Sequence, residues 1–536
     1  MSEGPSLPEA ATRGASGATG DDSAVEALLV VALTGVQQLI AQARTTADLW
    51  GGSTLSSLLA LKASLAVEAS GGQLILPSLA GHPLRRQVQG NGAPRVDEAS
   101  AIGVGLERTS EQAGAVGFTN RIVAAVPRSG AGLEVAVAAG DAMRMAWRDF
   151  LEDLFGAVPG DPAVLVPGKA RWVLVERRAG ELYADLWERA QQALVDRKRV
   201  RDFTGHEHVD AGAEGTVCAL CALRHGAAGL PARVQRRAGE RLCHVCAVKR
   251  TFRRVVAEER FPSTGSVASA PFRARLLDRL ADGEPAAREA VARFAAVHGR
   301  LLGRLRELGV TVPRTGPEAI AGLAGRAGDD PDALAFLRVD GAWCFPERWE
   351  PETVLRDHGA DVRLAASLEQ ACGEGAAAAG ALRARPGQEP AAAPAAYLAV
   401  LVQDADDMGK HLTGVLGGRS VSRSWHERVG GLLLEAAGLQ AGAIEGSGSW
   451  ARVVYAGGDD LLAVLPAATA LAAAERGRRV FGRVVGAELP GATASAAMVL
   501  FHHSFPLQRA ISRARETLQD AKRRPGKNRL APMPPG

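Results

Sequence analysis

The chain has 536 residues, 47% of them hydrophobic and 23% charged, with a formal net charge of +4 and a mean hydropathy of −0.01. That length exceeds a single core and predicts about three domains. No apolar run reaches membrane-spanning length and the N-terminus lacks a signal pattern, so no membrane partner is expected and the cytoplasm is the default location; the net charge is too small to indict nucleic acid by itself.

Residues 1–24, rich in Gly, Ser and Ala, read as a disordered leader. Residues 25–204 follow as a first domain. An apolar run at 26–34 passes at Gly35 into a stretch of helical periodicity, and a second helix over 54–67 is expected to start after Gly52, with Ser53 as N-cap. Strands are expected at 74–77, 121–126 and 171–175, and a long helix at 134–155. The order β-α-β-β-α-β is the split-βαβ, ferredoxin-like pattern. Its tightest turn carries no paired carboxylates, so this domain is read as having no metal ligands.

Residues 205–383 read as helix-rich, with helices near 272–280 and 286–308. Within them lie Cys218-Ala-Leu-Cys221 and Cys243-His-Val-Cys246. Each C-x-x-C offers two thiolates to one ion, and two such knuckles complete a closed tetrahedral zinc site with no open position for chemistry. Disulfides and free buried thiols are the alternatives; the left-over Cys344 and Cys372 argue against the first in a cytoplasmic chain. His206, His208, His225 and His244 lie nearby and read as surface residues beside four available cysteines. Zinc here is scaffold, worth on the order of 10 kcal/mol to a segment with few large apolar residues.

A Pro/Ala-rich linker at 384–396 precedes a domain at 397–524, with a tail at 525–536. The apolar strand Tyr397–Gln403 empties into Asp404-Ala405-Asp406-Asp407. A helix follows over 425–444, then Arg452–Tyr455 and Leu461–Leu465 flank Ala456-Gly457-Gly458-Asp459-Asp460, a hairpin signal. The glycines permit positive φ and close approach of a ligand, and the adjacent carboxylates suit divalent metal and nucleotide phosphate. A solvated acidic turn is the plain alternative. An Ala-rich helix over 467–485, a strand over 492–501 and a basic amphipathic helix over 507–522 complete a second ferredoxin-like order. That topology predicts Asp404 beside Asp459 and Asp460 at one sheet edge. Two unit charges at about 4 Å repel by roughly 4 kcal/mol at an effective dielectric of 20, so such carboxylates shift their pKa, spread apart or hold cations. Oxygen-only ligands favour Mg2+ or Mn2+, and a pair of such ions is machinery for phosphoryl or nucleotidyl transfer.

Basic clusters stand at Arg197-Lys198-Arg199 with Arg201, at 233–241, at 249–254 and at 522–529. Each reads as a solvated helix face or, taken together, as a surface lying along RNA without reading its bases.

In order along the chain, GVQQLIAQARTTADLWGGSTLSS (35–57), FTNRIVAAVP (118–127), the doubled C-x-x-C with RLCHVCAVKR, QDADDMG (403–409), YAGGDDLLAVLP (455–466) and TASAAMVLFHHSFPLQRAISRARETLQDAK (493–522) resemble the large, polymerase/cyclase-type subunit of type III CRISPR effector complexes, most like the Cmr (III-B) branch. The resemblance implies an α+β chain of two palm domains with a helical zinc domain between them. It implies synthesis of 3′–5′ cyclic oligoadenylate from ATP when target RNA pairs with a guide RNA, beside sibling subunits. By position, Asp404 and Asp459 would hold two metals with Asp460 as a further ligand or orienting group, Gly457 and Gly458 would admit the nucleotide, and Lys522 would contact its triphosphate. A solvated helix-end lysine is the plain reading of Lys522. The chain departs from the family in three ways: no His-Asp dipeptide of an HD nuclease domain, no helical domain after the second palm, and Ser495-Ala496-Ala497 where Ser-Ala-Gly is frequent. A structural subunit that only anchors RNA and partners is the alternative. A diguanylate cyclase is a third, although it usually carries Glu-Phe where this chain has Asp460-Leu461.

Overall fold

The architecture was taken from a computed structural model, which describes residues 20–85, 117–156, 167, 169–200, 217–227, 229–231, 234, 239–255, 261–312, 316, 318–384, 389, 391–418, 420–446 and 448–533. Most of the leader, part of the linker, and Arg201 with much of the 233–241 cluster lie outside these residues. The leader's end is ordered: Gly20–Ser23 form one helical turn. Asp22 is buried there and its Oδ1 accepts the N–H of Arg423 at 2.8 Å.

The first sheet has the order β2-β3-β1-β4, from β1 (Ala27–Thr34), β2 (Gln73–Leu76), β3 (Arg121–Val126) and β4 (Lys169–Glu176), with every neighbour antiparallel. Strand β1 is a continuous apolar run because both its faces are covered. Leu29, Val31 and Leu33 face a core with the helices Thr46–Ala69 and Ser129–Phe155, while Leu28, Val30 and Ala32 face Leu186, Trp187 and Ala190 of the helix Tyr183–Arg199.

The second sheet repeats the plan and adds a strand. Its order is β6-β7-β5-β8-β9, from β5 (Tyr397–Ala405), β6 (Arg452–Gly457), β7 (Asp460–Pro466), β8 (Ala494–His502) and β9 (Leu530–Met533). The helices Arg423–Glu445 and Ala467–Glu488 cover one face, and Leu507–Arg523 covers the other. The tail is therefore not an appendage. Its residues 530–533 pair parallel with β8, secured by the Ala496 N–H donating to Arg529 O at 2.7 Å.

The second helix of the N-terminal palm differs from the sequence expectation. It starts at Thr46, capped by the Thr45 hydroxyl accepting from Asp48 N at 3.2 Å, so Ser53 lies inside the helix and is not its cap. Gly51 and Gly52 are there for packing. A Cβ on Gly51 would lie 2.3 Å from the carbonyl oxygen of Lys249, and one on Gly52 would lie 3.0 Å from the Lys249 side chain.

Lys249 belongs to the helix His244–Val255 that carries the second cysteine knuckle. It is fully buried, and its ammonium donates to Leu39 O at 2.9 Å and to Gln42 O, closing the end of the short helix Val36–Ala41. Arg250 beside it pairs with Asp48 at 3.4 Å and Glu240 at 2.6 Å. The cations at 249 and 250 are thus neither a solvated face nor a phosphate track; they bind the cysteine module to the N-terminal palm.

The region after the module is helical around its own core, including Phe294, Phe336, Trp343 and Trp349. Its first helix spans Thr264–Ala281, beginning earlier than expected and running through Pro271, because Ser263 caps it by accepting from Ser266 N at 3.0 Å and Val267 and Ala268 are buried. Cys344 and Cys372 sit in this core, and burial pushes their thiols up to about 12 and about 11. Among the described residues, no helix is long and apolar enough to cross a membrane.

The close fit at Gly51 gives a paired stability prediction. Gly51→Ala should destabilise the chain by about 1–3 kcal/mol through overpacking against the Lys249 backbone. Gly299→Ala, mid-helix in Pro285–Glu307 with open space around the new methyl, should be neutral or stabilise by up to about 1 kcal/mol. Denaturant titration of both variants checks the pair; equal effects would contradict it.

Candidate active site

The apolar run of β5 ends at Asp404, which lies opposite Asp460 in β7 and opposite Ser495 in β8. Directly opposed residues share a sheet face, with Cβ atoms about 5 Å apart. Val402 and Leu462 on that face pack against Ile511, Ala514 and Leu518, so the acidic row faces the terminal helix and not the two helices behind the sheet. The expected meeting of residues 404 and 460 is present. Ala497, two residues inward of Ser495, is fully buried in the core.

The hairpin tip is built by Gly457 pairing with Asp460 around Gly458 and Asp459. Gly458 takes φ +63°, in the left-handed region, and a Cβ there would come no closer than 3.7 Å to Thr119. Gly457 has a different reason. A Cβ on it would lie 2.7 Å from Gly117 O and 2.9 Å from the Tyr455 hydroxyl, so the space expected for a nucleotide at this glycine is taken by the N-terminal palm. The Gly117 N–H donates to Ala456 O at 2.8 Å, and the Tyr455 hydroxyl donates to Gly457 O at 3.0 Å.

Burial and crowding act together on the charges here. Burial holds the Asp459 carboxyl above the ordinary carboxylate range, and Asp404 adds to it. Asp460 is held well above that range by burial, then by Asp459 and Asp404. The Tyr455 phenol is raised by burial and by the same two hairpin aspartates. Lys522 is not a solvated helix end: its ammonium pairs with Asp404 Oδ2 and donates to Ala405 O at 2.7 Å. Arg515, two turns earlier on the same helix, faces Asp460 while its Nη1 donates to Gln37 O at 2.9 Å.

Asp406 and Asp407 stand apart from this set. Asp406 Oδ2 accepts from Thr493 Oγ1 at 2.8 Å and Asn528 N at 2.9 Å, and Asp407 pairs with Lys527 at 2.7 Å and Lys410 at 3.1 Å. They tether the segment that leads into β9. Tyr455, Arg515 and Arg121 are site neighbours that sequence reading missed. For Arg121 the signal was a charged residue heading an otherwise apolar strand.

The four cysteines at 218, 221, 243 and 246 are buried, with Sγ atoms all within 4.8 Å of one another. The first knuckle is turned by Ala222 N donating to Cys218 O at 2.9 Å, with Ala222 at φ +53°. The second sits at the start of a helix, where the exposed N–H groups favour thiolate. Hydrogen bonding with Cys218, Cys243 and Cys246 drives Cys221 far below the ordinary thiol range, while that with Cys218, Cys221 and Cys243 holds Cys246 well above it. A set that cannot ionise together unaided is a donor set for one thiophilic cation.

Known proteins resemble this chain in three respects. Residues 397–531 match the family model described as Cas10/Cmr2, second palm domain, and residues 28–152 match CRISPR-associated protein Cmr2, N-terminal. The CRISPR system Cmr subunit Cmr2 of Pyrococcus furiosus is 35% identical over 161 residues, covering 26% of this chain and 18% of that relative. The chain therefore aligns with less than a fifth of that relative's length. In fold, it is similar to a chain of the type III-B Cmr-beta apo structure (TM-score 0.58, 14% identity, 93% of this chain and 68% of the other). It is similar in the same way to one of Cmr-beta bound to cognate target RNA (TM-score 0.57, 14% identity, 93% and 68%). The chain thus carries two domain types of one family, a Cmr2 N-terminal domain and a Cas10/Cmr2 second palm domain, joined to the sheet order described above.

Proposed function

We propose that the chain is the large subunit of a type III RNA-guided CRISPR complex, joining ATP into 3′–5′ cyclic oligoadenylate when target RNA pairs with the guide. The observation that carries this reading is the opposed pair Asp404 and Asp460, with Asp459 at the adjoining turn, on one face of a palm sheet. Asp404, Asp459 and Asp460 would hold two Mg2+ or Mn2+ ions. Bound there, such ions lower the pKa of a ribose 3′-hydroxyl and steady a departing pyrophosphate. Gly458 gives the turn its left-handed backbone with only Thr119 in ordinary contact beside it, and Lys522 is placed beside Asp404 to neutralise polyphosphate charge. Guide RNA, target RNA and sibling subunits are the partners this reading requires.

A second reading, a subunit that only anchors RNA and partner proteins, is favoured by two observations. Asp404 is engaged by Lys522, and among the described residues the thiols, not the carboxylates, form a group whose ligand atoms all lie within 4.8 Å. The two readings part in a single assay. With reconstituted complex, target RNA, ATP and Mg2+, the unaltered chain should make oligoadenylate, and Asp404→Ala or Asp459→Ala should lower turnover by at least about a hundredfold. No product from the unaltered complex, or product made equally by the variants, would leave only the anchoring role; product from GTP in preference to ATP would favour a diguanylate-type cyclase.

The raised hairpin carboxyls have a signed consequence. A folded-state pKa above the unfolded value contributes stability that is complete at low pH and lost as pH rises through the folded pKa. Metal-free chain should therefore lose stability toward neutral pH at these two residues, and Mn2+ should restore it there but not in acid. Melting temperatures with and without Mn2+ across pH check this. Asp459→Asn with Asp460→Asn should flatten both trends.

Zinc held by Cys218, Cys221, Cys243 and Cys246 would fix the module that carries Lys249. Native protein should contain about one zinc per chain by elemental analysis, and Cys243→Ser with Cys246→Ser should lose it along with several kcal/mol of stability. A metal-free native chain of unchanged stability would contradict this.

A further inference from the structure

The two palms carry one plan, but the same row of the sheet is charged in opposite senses. In the C-terminal palm the row reads Asp460–Asp404–Ser495 across the third, first and fourth strands. In the N-terminal palm, across the same strands, it reads Arg121–Ala32–Arg171. Each row lies on the face covered by the helix that follows the fourth strand. Counting from Tyr183 and from Leu507 as first residues, the sixteenth position of that helix is Lys198 in one palm and Lys522 in the other. Arg171 Nη1 donates to Lys198 O at 2.6 Å. Burial, and then Arg121 and Arg171, hold the Lys198 ammonium below its ordinary range.

Arg121 is the member of the basic row that meets the acidic one. The segment before it lies on the acidic turn, through the Gly117 N–H to Ala456 O bond and the approach of Thr119 to Gly458. Its guanidinium is largely buried, and the charge of Asp459 opposes the cost of that burial. Its Nε is shielded from solvent without an acceptor, and among the described residues its side chain makes no hydrogen bond or ion pair. A guanidinium carries five donors. A buried donor left unmatched is costly, so the group is set to receive an anion.

Resting on the function proposed above, we propose that Arg121 is a further catalytic residue, its guanidinium crossing the seam between the palms to the non-bridging phosphate oxygens of the nucleotide held at Asp404, Asp459 and Asp460. In the transfer, a ribose 3′-oxygen forms a bond to the α-phosphorus as the α–β phosphoanhydride bond breaks. The hydroxyl proton passes to water, and pyrophosphate departs with the electron pair. Arg121 neutralises charge gathering on the β- and γ-phosphates and transfers no proton. Its planar, two-pronged donors match phosphate in a way an ammonium does not.

The test compares unaltered complex with Arg121→Met, Arg121→Lys and Asp459→Ala. Mn2+-supported binding is measured by calorimetry for an ATP analogue with a non-cleavable α–β linkage and for AMP, alongside turnover. Arg121→Met should weaken the analogue by about tenfold or more while AMP changes little. It should lower kcat by about a hundredfold, with Arg121→Lys recovering only part. Equal losses for analogue and AMP, or unaltered binding and turnover in Arg121→Met, would overturn the assignment. If Arg121→Met does not fold, Arg121→Lys decides alone: full retention of kcat and analogue affinity would overturn it. Analogue binding that is lost in Asp459→Ala but intact in the Arg121 variants would sink the arginine alone. No Mn2+-dependent binding by unaltered complex would sink the proposed function with it.

Discussion

The pairing register of β5 against β7 is the constraint on which the site depends. Side chains alternate faces along a strand, so a slip of one residue would turn Asp404 toward the helices behind the sheet. The fit of each face to its own core resists that slip. Val400 and Val402 share a face with Asp404, Ala399 and Leu401 share the other, and both faces are buried in separate cores. The acidic row is thus positioned by hydrophobic burial along the strand, and the carboxylates themselves, which repel, contribute nothing to holding it.

The palms are not independent bodies joined by a linker. One core runs through Leu29 and Val31 of β1, Val245 and Val248 of the cysteine module, and Val400 and Val402 of β5. A polar tie backs it: the Tyr183 hydroxyl meets His426 Nδ1 at 2.9 Å, His426 Nε2 meets Leu412 O at 2.8 Å, and Trp187 stacks on the imidazole at 3.5 Å between centroids. Burial depresses His426 to about 3, so this ring is neutral at neutral pH. The turn bearing Asp459 is consequently held by residues from both palms.

The sequence was legible where local pattern and tertiary need agreed. Both β-α-β-β-α-β orders, the opposition of residues 404 and 460, and the gathering of four cysteines follow from periodicity and spacing. It was illegible where a distant residue decided the local one. Gly51-Gly52 read as a helix boundary, yet they lie within a helix because Lys249, far along the chain, rests on them. Gly457 read as room for a ligand, yet Gly117 fills that room. Lys249 and Arg250 read as surface charge, because no local pattern announces that a cation will be buried against carbonyls and acids from another domain. Arg121 was hidden for the same reason: its importance lies in a neighbour contributed by the other palm.

The short strand β9 has a consequence for how copies of this molecule meet. A sheet margin with free backbone donors invites another chain to zip onto it. Here the outermost strand is four residues long and contains Pro532, which supplies no N–H. The C-terminal palm is thereby blunted on that side against self-association, and crowding many copies together should not seed fibrils from it.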